Sequence, residues 1–359
     1  MICGEEFSDD QCLRITSIEA SKITNVYFYL ESEVVLPTSN DVVTAKISRR
    51  FEQLEKKLTK LKALHVRWID SKPETCRFSV EHYSNLEYLQ LEGCPPSLII
   101  GSFHHHFSRL KKLDIYGSDG LSLSRLFLPW RDKKIQCDFP PMTPYFECKE
   151  VPDVNKSWSS LSMVRLSKCG LVVLDNSLHY LPKLTEIDFS QNSISEIVHL
   201  QDCSKLTKLN LSINKIRVLS NISRVLGNIS SLNIANNQVE SLDGVQGLYA
   251  LRTFDVSGNL IVDFQEIHHL NRLPCLESLT LIGNPISLPK MGGGKIPGGE
   301  TNEIGLMLYR RLVFKNLITD RFIAGAVKSL PLLDDKPISP AQQQSFRFFS
   351  SHLFSFLTN

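Results

Sequence analysis

The sequence has almost no excess charge of either sign: 40 Lys and Arg stand against 38 Asp and Glu over 359 residues. A chain-wide field that would draw nucleic acid or an anionic membrane is therefore not expected. It also lacks any apolar run near the roughly 18 residues of a membrane span. The opening Met1-Ile2-Cys3-Gly4-Glu5-Glu6 has no basic-then-apolar signal pattern and no Gly at position 2 for myristoylation. Its nine cysteines, at positions 3, 12, 76, 94, 137, 148, 169, 203 and 275, are odd in number, scattered and never spaced C-x-x-C. That usage reads as reduced thiols. Asn155, Asn210, Asn221 and Asn228 head N-x-S triplets, a pattern too frequent by chance to outweigh it. A cytoplasmic location is the expectation.

Motifs that carry catalysis are missing as well. There is no G-x-S-x-G and no H-E-x-x-H. His104-His105-His106 would point to alternate faces of a strand, and no second cluster is spaced to complete a tetrahedral metal site. Gly292-Gly293-Gly294-Lys295 is followed by Ile296, where a phosphate loop needs a hydroxyl residue. Cys137 and Cys148 have no base at a spacing that would activate both. The chain is read as a non-enzyme with no catalytic residue, no metal site and no cofactor.

What is present is a phrase that recurs. Leu184–Ile194 (LTEIDFSQNSI), Leu206–Ile216 (LTKLNLSINKI), Ile229–Val239 (ISSLNIANNQV), Leu251–Ile261 (LRTFDVSGNLI) and Leu276–Ile286 (LESLTLIGNPI) share apolar residues at places 1, 4, 6 and 11 and Asn at place 9. Successive Asn residues, Asn192, Asn214, Asn237, Asn259 and Asn284, are 22, 23, 22 and 25 apart. This is the leucine-rich-repeat signature. Leu161–Leu171 keeps the phase with Cys169 at place 9, and Leu86–Cys94 and Leu110–Ser118 are worn copies with Cys94 and Ser118 there. The expected fold is an α/β solenoid, a horseshoe or arc with a parallel concave sheet. About ten residues per rung remain for the return, enough for a short helix or 3₁₀ turn.

The same reading divides the chain. Residues 1–60 form an N-terminal segment and capping helix, in which Ile23–Phe28 has the spacing of a worn first strand. Val43, Ile47, Phe51, Leu54 and Leu58 then mark one helix face. Arg49, Arg50, Lys56, Lys57 and Lys60 crowd that helix and are read as a solvated face, with a basic binding patch as the alternative. Residues 61–128 hold degenerate repeats, 129–157 a Pro-rich insertion loop, and 158–290 the regular repeats. A Gly-rich linker follows at 291–303, then a C-terminal cap at 304–340 with a helix over 304–317, and a tail at 341–359.

In each rung, places 4 and 6 point into the core while place 9 satisfies backbone groups at the turn leaving the strand. Asn192, Asn214, Asn237, Asn259 and Asn284, with Cys94 and Cys169 as weak donors, are thus a structural ladder. Recognition is expected from the outward places between the leucines: Arg165, Glu186, Asp188, Lys208, Asn210, Asn233, Thr253, Asp255 and Thr280. These short or charged residues suit an extended polar protein surface better than an apolar ligand.

Further phrases are more particular than the repeat. They are Asn85–Cys94, Trp158 with Leu161–Val164, Gly170–Leu178 with Leu181-Pro182, Leu273–Leu276 leading to Gly283-Asn284-Pro285, and Leu332–Lys336 with Ile338-Ser339. In that order, over roughly residues 20–340, they resemble the leucine-rich region of the serine/threonine-protein kinase 11-interacting protein family, plant relatives included, with nischarin more distant. The resemblance implies a cytosolic scaffold that binds or localises a signalling protein, with a Ser/Thr kinase or phosphatase as the implied partner. The alternative is a regulatory subunit modulating a phosphatase or kinase in trans, since intracellular repeat proteins of the phosphatase-regulator type have rungs of this length. No nucleic acid and no membrane span are expected.

Overall fold

A computed structural model describes residues 8, 11–35, 41–69, 78–80, 82–95, 99–100, 108–127, 158–287, 332–334 and 336–337. The expectations for His104–His106, the Pro-rich insertion, the Gly-rich linker, the helix at 304–317 and the tail lie outside these residues. The chain forms two compact units: 1–171 with 175–184, and 172–174 with 185–359.

The first unit opens with β1 (Cys12–Thr16), which runs directly into α1 (Ser17–Val35). The first strand therefore precedes Ile23–Phe28, and that segment is helical. The cause is a capping box at the junction. The Glu19 backbone N–H donates to Thr16 Oγ1 (3.3 Å), and the Thr16 N–H donates back to Glu19 Oε2 (2.9 Å). Ala20, Thr24 and Leu30 then fall on the buried side of the helix. Helix α2 (Asp41–Leu58) follows, and its Phe51 ring meets Tyr27 of α1 at 5.2 Å between centroids.

Strands β2 (Ala63–Arg67), β4 (Tyr88–Glu92), β6 (Lys112–Tyr116) and β7 (Met163–Ser167) continue from β1 as one parallel ladder. Leu64 and Val66, Leu89 and Leu91, Leu113 and Ile115, and Val164 and Leu166 are all buried behind it. Fully burying such a side chain contributes about 1.5–3 kcal/mol, and repetition rather than any one residue holds the rungs together. Two short strands, β3 (Phe78–Ser79) and β5 (Ile99–Ile100), pair in parallel as a separate sheet. The ends of the insertion meet where Trp158 donates from Nε1 to the carbonyl of Phe127 (3.4 Å), at the end of α3 (Leu123–Phe127). Both rings are buried, edge to face at 5.4 Å.

The second unit is more regular. Strands β8 (Glu186–Asp188), β9 (Lys208–Asn210), β10 (Ser231–Asn233), β11 (Thr253–Asp255) and β12 (Ser278–Thr280) pair in parallel and in register. The returns are short, as expected: α4 (Ile222–Leu226) and 3₁₀ turns at Val245–Gly247, Phe264–Arg272 and Pro285–Ser287. Beyond β12 the ladder gains β13 (Leu332–Leu333) in parallel and β14 (Lys336–Pro337) antiparallel. This is a leucine-rich-repeat solenoid.

Candidate partner-binding face

The site is built by register. Because the strands align residue for residue, the outward places form two rows in the second unit. One is Glu186, Lys208, Ser231, Thr253 and Ser278, and the other is Asp188, Asn210, Asn233, Asp255 and Thr280. Eight of the nine residues expected to face a partner thus share one ladder. Lys208 and Thr253 are exposed, and Glu186, Asp188, Asn210, Asn233 and Asp255 are half-buried. Thr280 is only 8 % exposed and offers no contact surface. The ninth residue, Arg165, belongs to the first unit, where Nη1 lies 3.3 Å from Asp114 Oδ2.

The second row has a structural task that its composition conceals. Asp188, Asn210, Asn233 and Asp255 each accept at Oδ1 from the backbone N–H two residues on, at Ser190 (3.1 Å), Ser212 (3.0 Å), Ala235 (2.9 Å) and Ser257 (3.0 Å). These Asx turns end each strand. They also set up a left-handed residue at place 8: Gln191, Ile213, Asn236 and Gly258 all have φ between 54 and 63°. In the last rung the place is held by Thr280, and the cap comes instead from Asp334, whose Oδ1 accepts from Leu281 (2.8 Å) and Ile282 (3.1 Å). Sequence reading missed this role, although Asp or Asn at place 5 in four consecutive rungs was its signal.

The Asn ladder sits behind the turns. Asn237 Nδ2 donates to the carbonyls of Leu211, Ile234 and Ala235 at 2.9–3.2 Å, and its Oδ1 accepts from the Ile216 N–H at 2.9 Å. Asn214 and Asn259 repeat the pattern onto their preceding rungs, and Asn284 bonds to Val256 and Ile261. Asn192 donates to Phe189 and Ser190 within its own rung. In the first unit the thiols of Cys94 and Cys169 donate to Val66 (3.6 Å) and Ile115 (3.3 Å), and Ser118 donates to Cys94 (2.7 Å). Burial pushes the Cys94 thiol up to about 12 and those of Cys169 and Cys203 to about 11.

Several charges at or beside the strands are paired between neighbouring rungs. Lys208 Nζ is 2.6 Å from Glu186, and Arg252 Nη1 is 2.5 Å from Glu277. In the first unit Glu87 lies between Lys111 (2.6 Å) and Lys62 (3.3 Å). The Lys111 hydrogen bond, above all, holds the Glu87 carboxyl below its ordinary range. Among the described residues no group of His, Cys, Asp or Glu could hold a metal ion, and no helix is long and apolar enough to cross a membrane.

A solenoid of stacked strands presenting polar rows defines a leucine-rich-repeat protein-interaction module, and the family described as Leucine rich repeat matches residues 159–216. Two relatives share the name serine/threonine-protein kinase 11-interacting protein. The Gallus gallus protein is 26 % identical over 206 residues, covering 57 % of this chain and 17 % of that protein. The Homo sapiens protein is 26 % identical over 258 residues, covering 70 % and 21 %. Among solved structures, internalin C2 of Listeria monocytogenes is similar over 64 % of this chain and 75 % of that one, at 20 % identity and a TM-score of 0.37. The chain is a leucine-rich-repeat protein similar to the serine/threonine-protein kinase 11-interacting proteins. It spans about a fifth of the length of the relatives so named.

Proposed function

We propose that the chain is a non-enzymatic cytoplasmic scaffold that binds a signalling protein, a Ser/Thr kinase or phosphatase, through the polar rows of β8–β11. The observation that carries this reading is the register: Glu186, Lys208, Ser231 and Thr253 stand side by side, with Asp188, Asn210, Asn233 and Asp255 alongside. A partner laid across the strands meets alternating acid, base, amide and hydroxyl groups at one strand spacing, about 4.8 Å per step. Their fixed backbone lowers the entropic cost of binding. The names of the relatives favour a kinase as partner.

The test separates contact from folding. Lys208 and Thr253 are exposed and cap nothing, so Lys208→Glu with Thr253→Arg alters the face and spares the turns. Affinity purification of tagged chain from cells should recover a kinase or phosphatase with the wild type and lose it with this variant. Equal recovery from a folded variant would exclude this face. Assaying the recovered enzyme with and without the chain distinguishes a passive scaffold from the regulatory-subunit alternative.

A further inference from the structure

Balanced totals conceal a local imbalance on α2. At about 100° per residue, Lys46, Arg49, Arg50, Lys56, Lys57 and Lys60 fall within about 120° of the helix circumference, with Lys60 in the turn that closes it. Ile47, Phe51, Leu54 and Leu58 occupy the adjoining sector, turned toward the unit, and Glu52 and Glu55 lie on the far flank. All six cations are exposed. None makes an ion pair or side-chain hydrogen bond among the described residues, whereas the sheet cations Lys62, Lys111, Arg165, Lys208 and Arg252 are each paired with a carboxylate. The helix macrodipole accounts for Lys56 and Lys57 in the last turn. It does not account for Lys46, Arg49 and Arg50 in mid-helix, where clustered like charges repel.

We infer that this stripe is a docking surface for an anionic lipid membrane. Charge complementarity calls for an anionic partner, and the geometry selects among them. The cations lie along one side of a single helix, so they can reach a plane more readily than enclose an acidic peptide. The basic sector also contains no aromatic side chain on which a nucleobase could stack. A planar array of anionic headgroups requires neither enclosure nor stacking, only several flexible cations reaching one plane. The surface lies in the first unit and is independent of the polar rows of β8–β11.

The experiment uses the full chain and vesicles of phosphatidylcholine with or without phosphatidylserine, read by co-sedimentation. Binding is expected only with phosphatidylserine, and it should weaken as salt shortens the screening length. The variant Lys46→Gln, Arg50→Gln, Lys57→Gln, Lys60→Gln should bind at least roughly tenfold more weakly. Glu52→Gln with Glu55→Gln should bind at least as well as wild type. An unchanged thermal midpoint is expected of the four-site variant, because no pair is broken. Should it unfold, the lipid and salt dependence of the wild type alone still decides the matter. Sedimentation indifferent to phosphatidylserine overturns the inference. So does undiminished binding by the folded four-site variant, or capture of RNA or poly-glutamate through these cations with vesicles ignored.

Discussion

Residues at adjacent places of the repeat do unlike work, and single substitutions separate them. Asn237→Ala removes an amide that bonds to three buried carbonyls and one N–H. Leaving such groups unpaired costs about 1–3 kcal/mol, so the urea midpoint should fall with little change in slope. Ile213 is the opposite case. It is β-branched, 49 % exposed and held at φ 56°, in a place where its neighbours are Gln, Asn and Gly. Ile213→Asn should raise stability by about 1 kcal/mol, read in the same titration. The ladder was legible because Asn recurs at a fixed interval. The place-5 cap was not, because an Asp or Asn on a solvated strand reads equally well as a soluble residue. Asp188→Asn and Asp255→Asn keep the capping oxygen and remove the charge, which makes them cleaner probes than charge reversal.

At the scale of elements, the short returns are fixed by close approaches rather than by periodicity. Gly244 has φ 101°, and a Cβ there would lie 2.1 Å from the carbonyl oxygen of Leu219. Gly244→Ala should therefore cost at least about 2 kcal/mol, visible as a lower thermal midpoint. A return of about ten residues is too brief to show a helical period, so its 3₁₀ turns were legible only from the rung length. The strands were legible from their leucines. The start of the chain was misread because Ile23–Phe28 copies the leucine spacing, while the Thr16–Glu19 capping box, a local hydrogen-bonded stop and start, decides the structure. Thr16→Ala should destabilise the first unit by about 1 kcal/mol, and hydrogen exchange in α1 should quicken first.

For the molecule as a whole, three buried thiols make stability sensitive to alkali. Folded Cys94, Cys169 and Cys203 keep their protons to about 11–12, against an ordinary thiol value near 9. Their contribution is complete below about 9 and is lost as pH rises toward 11–12, because only the unfolded chain releases those protons in that window. The thermal midpoint should drop across that range, and at neutral pH these three thiols should resist iodoacetamide until the chain unfolds. Family-level phrases spread over most of the chain made the class legible, but the partner is written only in the surface chemistry of the rungs. The most direct measurement is the affinity of a captured partner for two arginine variants of equal charge. Thr253→Arg, on the outward row of β11, should weaken binding at least roughly tenfold, while Val218→Arg, on an exposed return, should leave it unchanged. Loss with Val218→Arg and none with Thr253→Arg would contradict the assignment of recognition to the sheet face.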